Sequence, residues 1–193
     1  MHVFKRLLVD FQLLTKPQKA VIIGIIVFTL FPMLHALGLL PALNLFYINT
    51  TKSAPLGVYV AALDQRLHTG DYVIMNVPEE MKPYLYGRGW AMERENRLLK
   101  QIAGLPTDSY KIEDNHITIN RRIAVIHTVD HENLPLPKPE NGNYIIPVGK
   151  FMPVSLDRDN SFDARYTGPV EKSLITKKVI PLFVLPLSLE KYI

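Results

Sequence analysis

Asn49-Thr50-Thr51-Lys52-Ser53-Ala54-Pro55-Leu56-Gly57-Val58-Tyr59 begins a few residues after a long apolar run and sets a serine beside a proline and a glycine. Proline fixes the backbone and glycine frees it, so the chain turns here. Two readings follow from the residues alone. Ser53 is an ordinary turn residue, since Ser, Pro and Gly are the common vocabulary of turns, or it is a nucleophile held by a rigid loop. Lys100 and the loop after residue 155 decide between them.

On the N-terminal side, residues 20–43 carry no charged side chain. At about 1.5 Å per helical residue this run spans about 36 Å, against a bilayer core of about 30 Å. Pro32 would kink such a helix, which membrane helices tolerate, and Thr29 and His35 are its polar interruptions. A buried core helix fits less well, because so small a domain rarely encloses a helix that is apolar all round. A cleaved signal peptide is the other possibility, but its apolar region is shorter, about 7 to 15 residues. Before the run, residues 1–19 place Phe4, Leu7, Leu8, Phe11 and Leu14 at helical spacing among Lys5, Arg6, Lys16 and Lys19, which reads as a cytoplasmic amphipathic segment at a membrane surface, with a cytosolic stub without defined structure as the alternative. Basic residues flank only this side, so the N-terminus is expected in the cytoplasm and residues 44–193 on the outer face of the cytoplasmic (inner) membrane.

The 193 residues leave room for an anchor and one modest domain. A net charge of +4, with basic residues scattered among acids, does not build a nucleic-acid groove. Without cysteine there is no disulfide, thiolate metal site or cysteine nucleophile. His127 and His131 are four apart but lack a third ligand and sit in strand and loop sequence, so surface histidines are the better reading and no metal or cofactor is expected. Past residue 44 the sequence reads as strands between turn signals: 57–63, 72–77, 98–105, a hairpin over 111–122 turning at Asp114-Asn115 and extended by 123–129, a strand pair over 144–154, and a final strand over 174–184. The segment 78–90 reads as irregular, with Tyr84, Tyr86 and Trp90 as core or as an interfacial cluster. The expected fold is mainly β: one N-terminal transmembrane helix followed by a compact antiparallel β domain.

Two stretches stand out from this background. On alternation, Lys100 shares a strand face with Leu98 and Ile102. Such a lysine either snorkels to water or is buried, in which case desolvation lowers its pKa and a neutral amine can take a proton from a serine hydroxyl. The other stretch, Ser155-Leu156-Asp157-Arg158-Asp159-Asn160-Ser161-Phe162-Asp163-Ala164-Arg165-Tyr166-Thr167-Gly168-Pro169, alternates acids with arginines, which suits a loop held by its own ion pairs. A Ser–His–Asp triad has no specific support in the sequence.

In order and spacing, NTTKSAPLGVY, KQIAGLPTD and RDNSFDARYTGP resemble the three conserved blocks of the bacterial signal peptidase I superfamily, whose members are Ser–Lys peptidases. Gly70-Asp71-Tyr72-Val73-Ile74 is similar to the strand between the first two. The Ser-x-Pro-x-Gly-x-Tyr arrangement, the Leu134-Pro135-Leu136-Pro137 segment and Ser-Phe-Asp-x-Arg-Tyr-x-Gly-Pro resemble the conjugative-transfer, TraF-like branch. The resemblance implies that Ser53 is the nucleophile and Lys100 the general base. It implies that Thr51 assists the oxyanion hole, that Ser161 orients the lysine, and that Asp163 and Arg165 form a supporting ion pair. It also implies a membrane-anchored endopeptidase acting on an exported preprotein with small residues before the scissile bond, specifically a pilin precursor, with other transfer-apparatus proteins as further partners. A general signal peptidase I is the nearest alternative, a soluble LexA-like self-cleaving protein is disfavoured by the apolar run, and a non-catalytic anchored β scaffold is the alternative of another class. Two positions depart from the family pattern. Ser155 replaces a glycine, which puts the geometry beside the lysine in question. Thr107 replaces a turn glycine, which predicts a type I turn because threonine disfavours positive φ.

Overall fold

The computed structural model describes residues 14–36, 45–94 and 96–186, in two units divided at Asn44 and Leu45. In the first unit, helix α1 spans Lys16–Ala36. Gln18 caps its start: both the backbone N–H and the hydroxyl of Thr15 donate to Gln18 Oε1 at 2.9 Å, one half of a capping box, and Pro17 sits in the first turn, where no N–H is required. Thr29, midway along the helix, returns its hydroxyl to the Ile25 carbonyl at 2.8 Å. The amphipathic segment expected over residues 1–19 lies outside the described residues as far as residue 13. The span expected over residues 20–43 is not recovered as such. No helix among the described residues is long and apolar enough to cross a membrane. The observed helix begins earlier, taking Lys16 and Lys19 into its first turns, and the expected stretch 37–43 lies outside the described residues.

The second unit is an antiparallel β domain of two sheets. The larger has seven strands in the order β1-β2-β11-β3-β4-β9-β10, with β1 at Phe46–Asn49, β2 at Gly57–Ala61, β3 at Tyr72–Asn76, β4 at Arg97–Gly104, β9 at Lys150–Pro153, β10 at Val170–Glu171 and β11 at Ile175–Val184. The smaller has the order β7-β6-β5-β8, with β5 at Ser109–Glu113, β6 at His116–Ile119, β7 at Arg122–Val125 and β8 at Gly142–Ile145. Apolar residues from both sheets, among them Val73, Met75, Ile102, Ile119, Ile146 and Phe151, form one buried cluster. The segment over 78–90 is not wholly irregular: a 3-10 turn at Glu79–Met81 runs into a one-turn helix, α2, at Lys82–Leu85.

Local chemistry explains most of the turns. Asp114 and Asn115 take φ of 46° and 63°, the positive pair that a two-residue hairpin turn demands, and Asn120 and Arg121 repeat it at 49° and 66° between β6 and β7. The expected pairing of the two strands within 144–154 does not form. β8 joins β5 and β9 joins β4, because the Pro147–Lys150 turn carries the chain from one sheet to the other. β1 was not foreseen.

The type I turn expected at Thr107 is also corrected. Thr107 has φ 74°, and Asp108 N–H donates to the Leu105 carbonyl at 3.0 Å, the arrangement of a type II turn with Pro106 at its second position. Three bonds override the threonine's preference. Leu105 N–H reaches Asp108 Oδ2 (2.9 Å), Thr107 N–H reaches the Ile146 carbonyl (2.9 Å), and Ile146 N–H returns to the Asp108 carbonyl (2.9 Å).

Candidate active site

Ser53 lies in the turn joining β1 to β2, and that turn is built around Asn49, the last residue of β1. The Asn49 amide donates to the carbonyls of Thr51 (2.9 Å), Ala54 (3.0 Å) and Pro55 (3.0 Å), while its Oδ1 accepts from Thr51 N–H (3.2 Å) and the Thr51 hydroxyl (2.9 Å). A single buried side chain thus satisfies both edges of the loop. Downstream, the Tyr59 hydroxyl donates to the Pro55 carbonyl at 2.8 Å. Gly57 has φ 146° and lies against β11, where a Cβ would strike the Phe183 carbonyl and come within 2.7 Å of Val184 Cα. Glycine is therefore required by close backbone approach, not merely by turn geometry. Asn49 was missed in the sequence. Its signal was its place at the head of the block, where Asn commonly bonds the backbone two residues on.

Lys100 is in the middle of β4, paired with Val73 of β3, and is only 3% exposed. It does not snorkel. Nζ donates to Ser161 Oγ at 2.9 Å and to the Phe162 carbonyl at 3.1 Å. Burial lowers its pKa to about 8, with Arg165 pushing the same way and Asp163 opposing. A neutral amine has two N–H groups and one lone pair. Both acceptors in contact can be served by the N–H groups, which leaves the lone pair for a proton arriving from elsewhere.

Four aromatic rings hold the segment that receives the lysine. Phe162 stacks on Tyr84 (centroids 4.9 Å apart) and on Tyr166 (5.0 Å, planes 7° apart), with Trp90 tilted against it at 5.6 Å. Tyr84 and Trp90 therefore belong to the core beside the site. Arg88 caps both rings and pairs with Asp130 at 2.5 Å. Beneath Ser161, the Asp163 and Arg165 side chains are fully buried and joined at 2.8 Å. Asp163 also accepts from the Arg165 N–H at the start of α3, Ala164–Thr167, and the guanidinium donates to the carbonyls of Val125, Ser155 and Arg158. A buried ion pair with this many satisfied donors fixes the loop's path.

Ser53, Thr51, Lys100 and Ser161 all line one cleft of about 1240 Å³, which also admits Asn76 and Arg97. The Ser53 and Thr51 hydroxyls are 3.2 Å apart. Because Asn49 Oδ1 can only accept, Thr51 spends its hydrogen on Asn49 and is left to accept from Ser53. In this state the Thr51 hydroxyl holds the serine and is not free as an oxyanion donor. Among the described residues no hydrogen bond joins Ser53 to Lys100. Four of the expected residues thus line one cleft, with the serine turned toward the threonine, while Asp163 and Arg165 are buried behind it and do not line it. His127 and His131 are exposed on the cleft's rim, and no group of three or more metal-binding side chains occurs among the described residues.

An antiparallel β domain presenting a serine and a buried, weakly basic lysine to one cleft fits the serine peptidase class. The chain belongs to the family described as signal peptidase, peptidase S26, which matches residues 19–183. It is 26% identical over 145 residues to a plasmid transfer protein TraF of Escherichia coli, covering 70% of this chain and 81% of that one. It is 29% identical over 149 residues to the conjugal transfer protein TraF of Agrobacterium tumefaciens (strain 15955), covering 72% and 82% respectively. A crystal structure of a signal peptidase I from Enterococcus faecalis V583 aligns at 18% identity and TM-score 0.33, covering 63% of this chain and 97% of that one.

Proposed function

We propose that the protein is a membrane-anchored serine endopeptidase in which Ser53 attacks a peptide carbonyl and Lys100 takes its proton. The burial of Lys100 with two acceptors already in place carries this reading, because it yields an amine with a pKa of about 8 and an available lone pair. The Ser53 oxygen bonds to the scissile carbonyl carbon, its proton passes to Lys100 Nζ, and the amine half of the substrate leaves with that proton. Water then releases the acyl group by the same route. Rotation of the Ser53 hydroxyl from Thr51 toward Nζ precedes attack; the developing oxyanion takes the Ser53 N–H, and the Thr51 hydroxyl joins it only by giving up its bond to Asn49 Oδ1.

An extended substrate segment would lie in the cleft by pairing with a sheet edge. The similarity to TraF proteins favours an exported preprotein of a conjugative transfer system, a pilin precursor, as substrate. The uncharged residues from 20 onward favour an anchor in the cytoplasmic membrane with the β domain outside. The test is precursor processing in conjugating cells, followed by mass spectrometry of the pilin. Ser53→Ala and Lys100→Ala should each leave the precursor at full length. Normal maturation with either variant refutes the dyad, and a general secretion defect in either would indicate a broad preprotein peptidase instead.

A further inference from the structure

Within the reading of Ser53 and Lys100 as a dyad, the hydroxyl of Ser155 has a place of its own beside the serine. Ser155 Oγ donates to the Ser53 carbonyl at 2.6 Å, across 102 positions of sequence. The rest of Ser155 is immobilised. Its N–H donates to Asp163 Oδ2 at 3.0 Å, and its carbonyl accepts from Arg165 Nη2 at 2.7 Å and from Arg158 N–H at 3.1 Å. The residue is 5% exposed, so these bonds act with little competition from water.

Asn49 holds the carbonyls of residues 51, 54 and 55 but passes over that of residue 53. Among the described residues, the Ser155 hydroxyl is the side-chain group that holds the Ser53 main chain. Fixing a carbonyl fixes the ψ of its residue, and with the loop closed by Asn49 the Cα–Cβ direction follows. We propose that Ser155 is a positioning residue. Its hydroxyl clamps the Ser53 backbone onto the Asp163–Arg165 pair, so the element that seats the lysine also aims the serine. A glycine at this position can supply the main-chain bonds but not the clamp.

The full chain in detergent is assayed on a ten-residue peptide chosen from a proteome-derived library by wild-type cleavage. A misaimed nucleophile loses about tenfold to a hundredfold in rate without losing substrate affinity. Ser155→Ala and Ser155→Gly should therefore lower kcat by that factor, with KM within threefold and the unfolding midpoint within a few degrees. Ser155→Thr, which keeps a hydroxyl, should recover most of the rate. The rising limb of the pH–kcat profile should stay near 8 in all three, since the clamp acts on Ser53 and not on Lys100. A kcat for Ser155→Ala within twofold of wild type overturns the clamp. So does a loss that comes with a displaced pH limb, a raised KM or a collapsed midpoint. Ser53→Ala separates the two claims: turnover by that variant defeats the dyad itself, whereas its loss beside a fully active Ser155→Ala defeats the clamp alone.

Discussion

Replacing Lys100 by methionine removes the buried amine and keeps an unbranched side chain of similar reach. Lys100 goes from 10.5 in the open chain to about 8 in the fold. At about 1.4 kcal/mol per pH unit, that difference is on the order of 3 kcal/mol of folding free energy. The sign follows from proton counting. Below pH 8 the amine is charged in both states and the fold bears the whole cost of burying it. Between 8 and 10.5 the unfolded chain holds a proton that the folded chain has released, so stability rises with pH across that window. Above 10.5 the penalty is gone. Lys100→Met also strips Ser161 Oγ and the Phe162 carbonyl of a donor, a loss of about 1–3 kcal/mol that does not depend on pH. The informative quantity is therefore the stability of wild type minus that of Lys100→Met, followed by urea unfolding of the full chain in detergent from pH 7 to 10.5. Exposed lysines titrate alike in both proteins and cancel. The difference should climb by about 3 kcal/mol over this range, with most of the change above pH 8. Parallel stability curves would show that the amine is not desolvated in the fold, and the argument for a neutral base would go with it.

Three further outcomes follow. Wild-type kcat should rise with pH as Lys100 loses its proton: with a pKa of about 8 the neutral fraction goes from about 9% at pH 7 to about 91% at pH 9, so a flat profile over that range excludes Lys100 as base. Arg165→Met leaves the fully buried Asp163 carboxylate without its partner and should cost about 3–5 kcal/mol, read as a lowered urea midpoint; an unchanged midpoint would mean the pair is not buried in solution. Thr107→Gly relieves a β-branched residue at φ 74° and should raise stability by about 1 kcal/mol, whereas a fall in the urea midpoint would show that the threonine's own contacts outweigh the strain.

Much of this protein is legible in its residues because the signals are local. Asp114-Asn115 turns a hairpin, and a lysine between Leu98 and Ile102 points to an apolar strand face. The linear order of the Ser53, Lys100 and Ser161 blocks carries the family, and it names the residues around the cleft before any distance is known. What sequence cannot hold is adjacency between strands. Alternation assigns a side chain to a face but not to a neighbour, so it could not place β11 between β2 and β3 or send β8 and β9 to different sheets. The same gap hid Asn49, whose partners depend on how the loop closes, and left Ser155 as an unexplained departure. At Thr107, tertiary hydrogen bonds overrode a correct local preference. The ionisation of Lys100 was decided last, by burial among Ser161, Phe162 and Arg165, because desolvation is a property of the packed surroundings and not of the lysine itself.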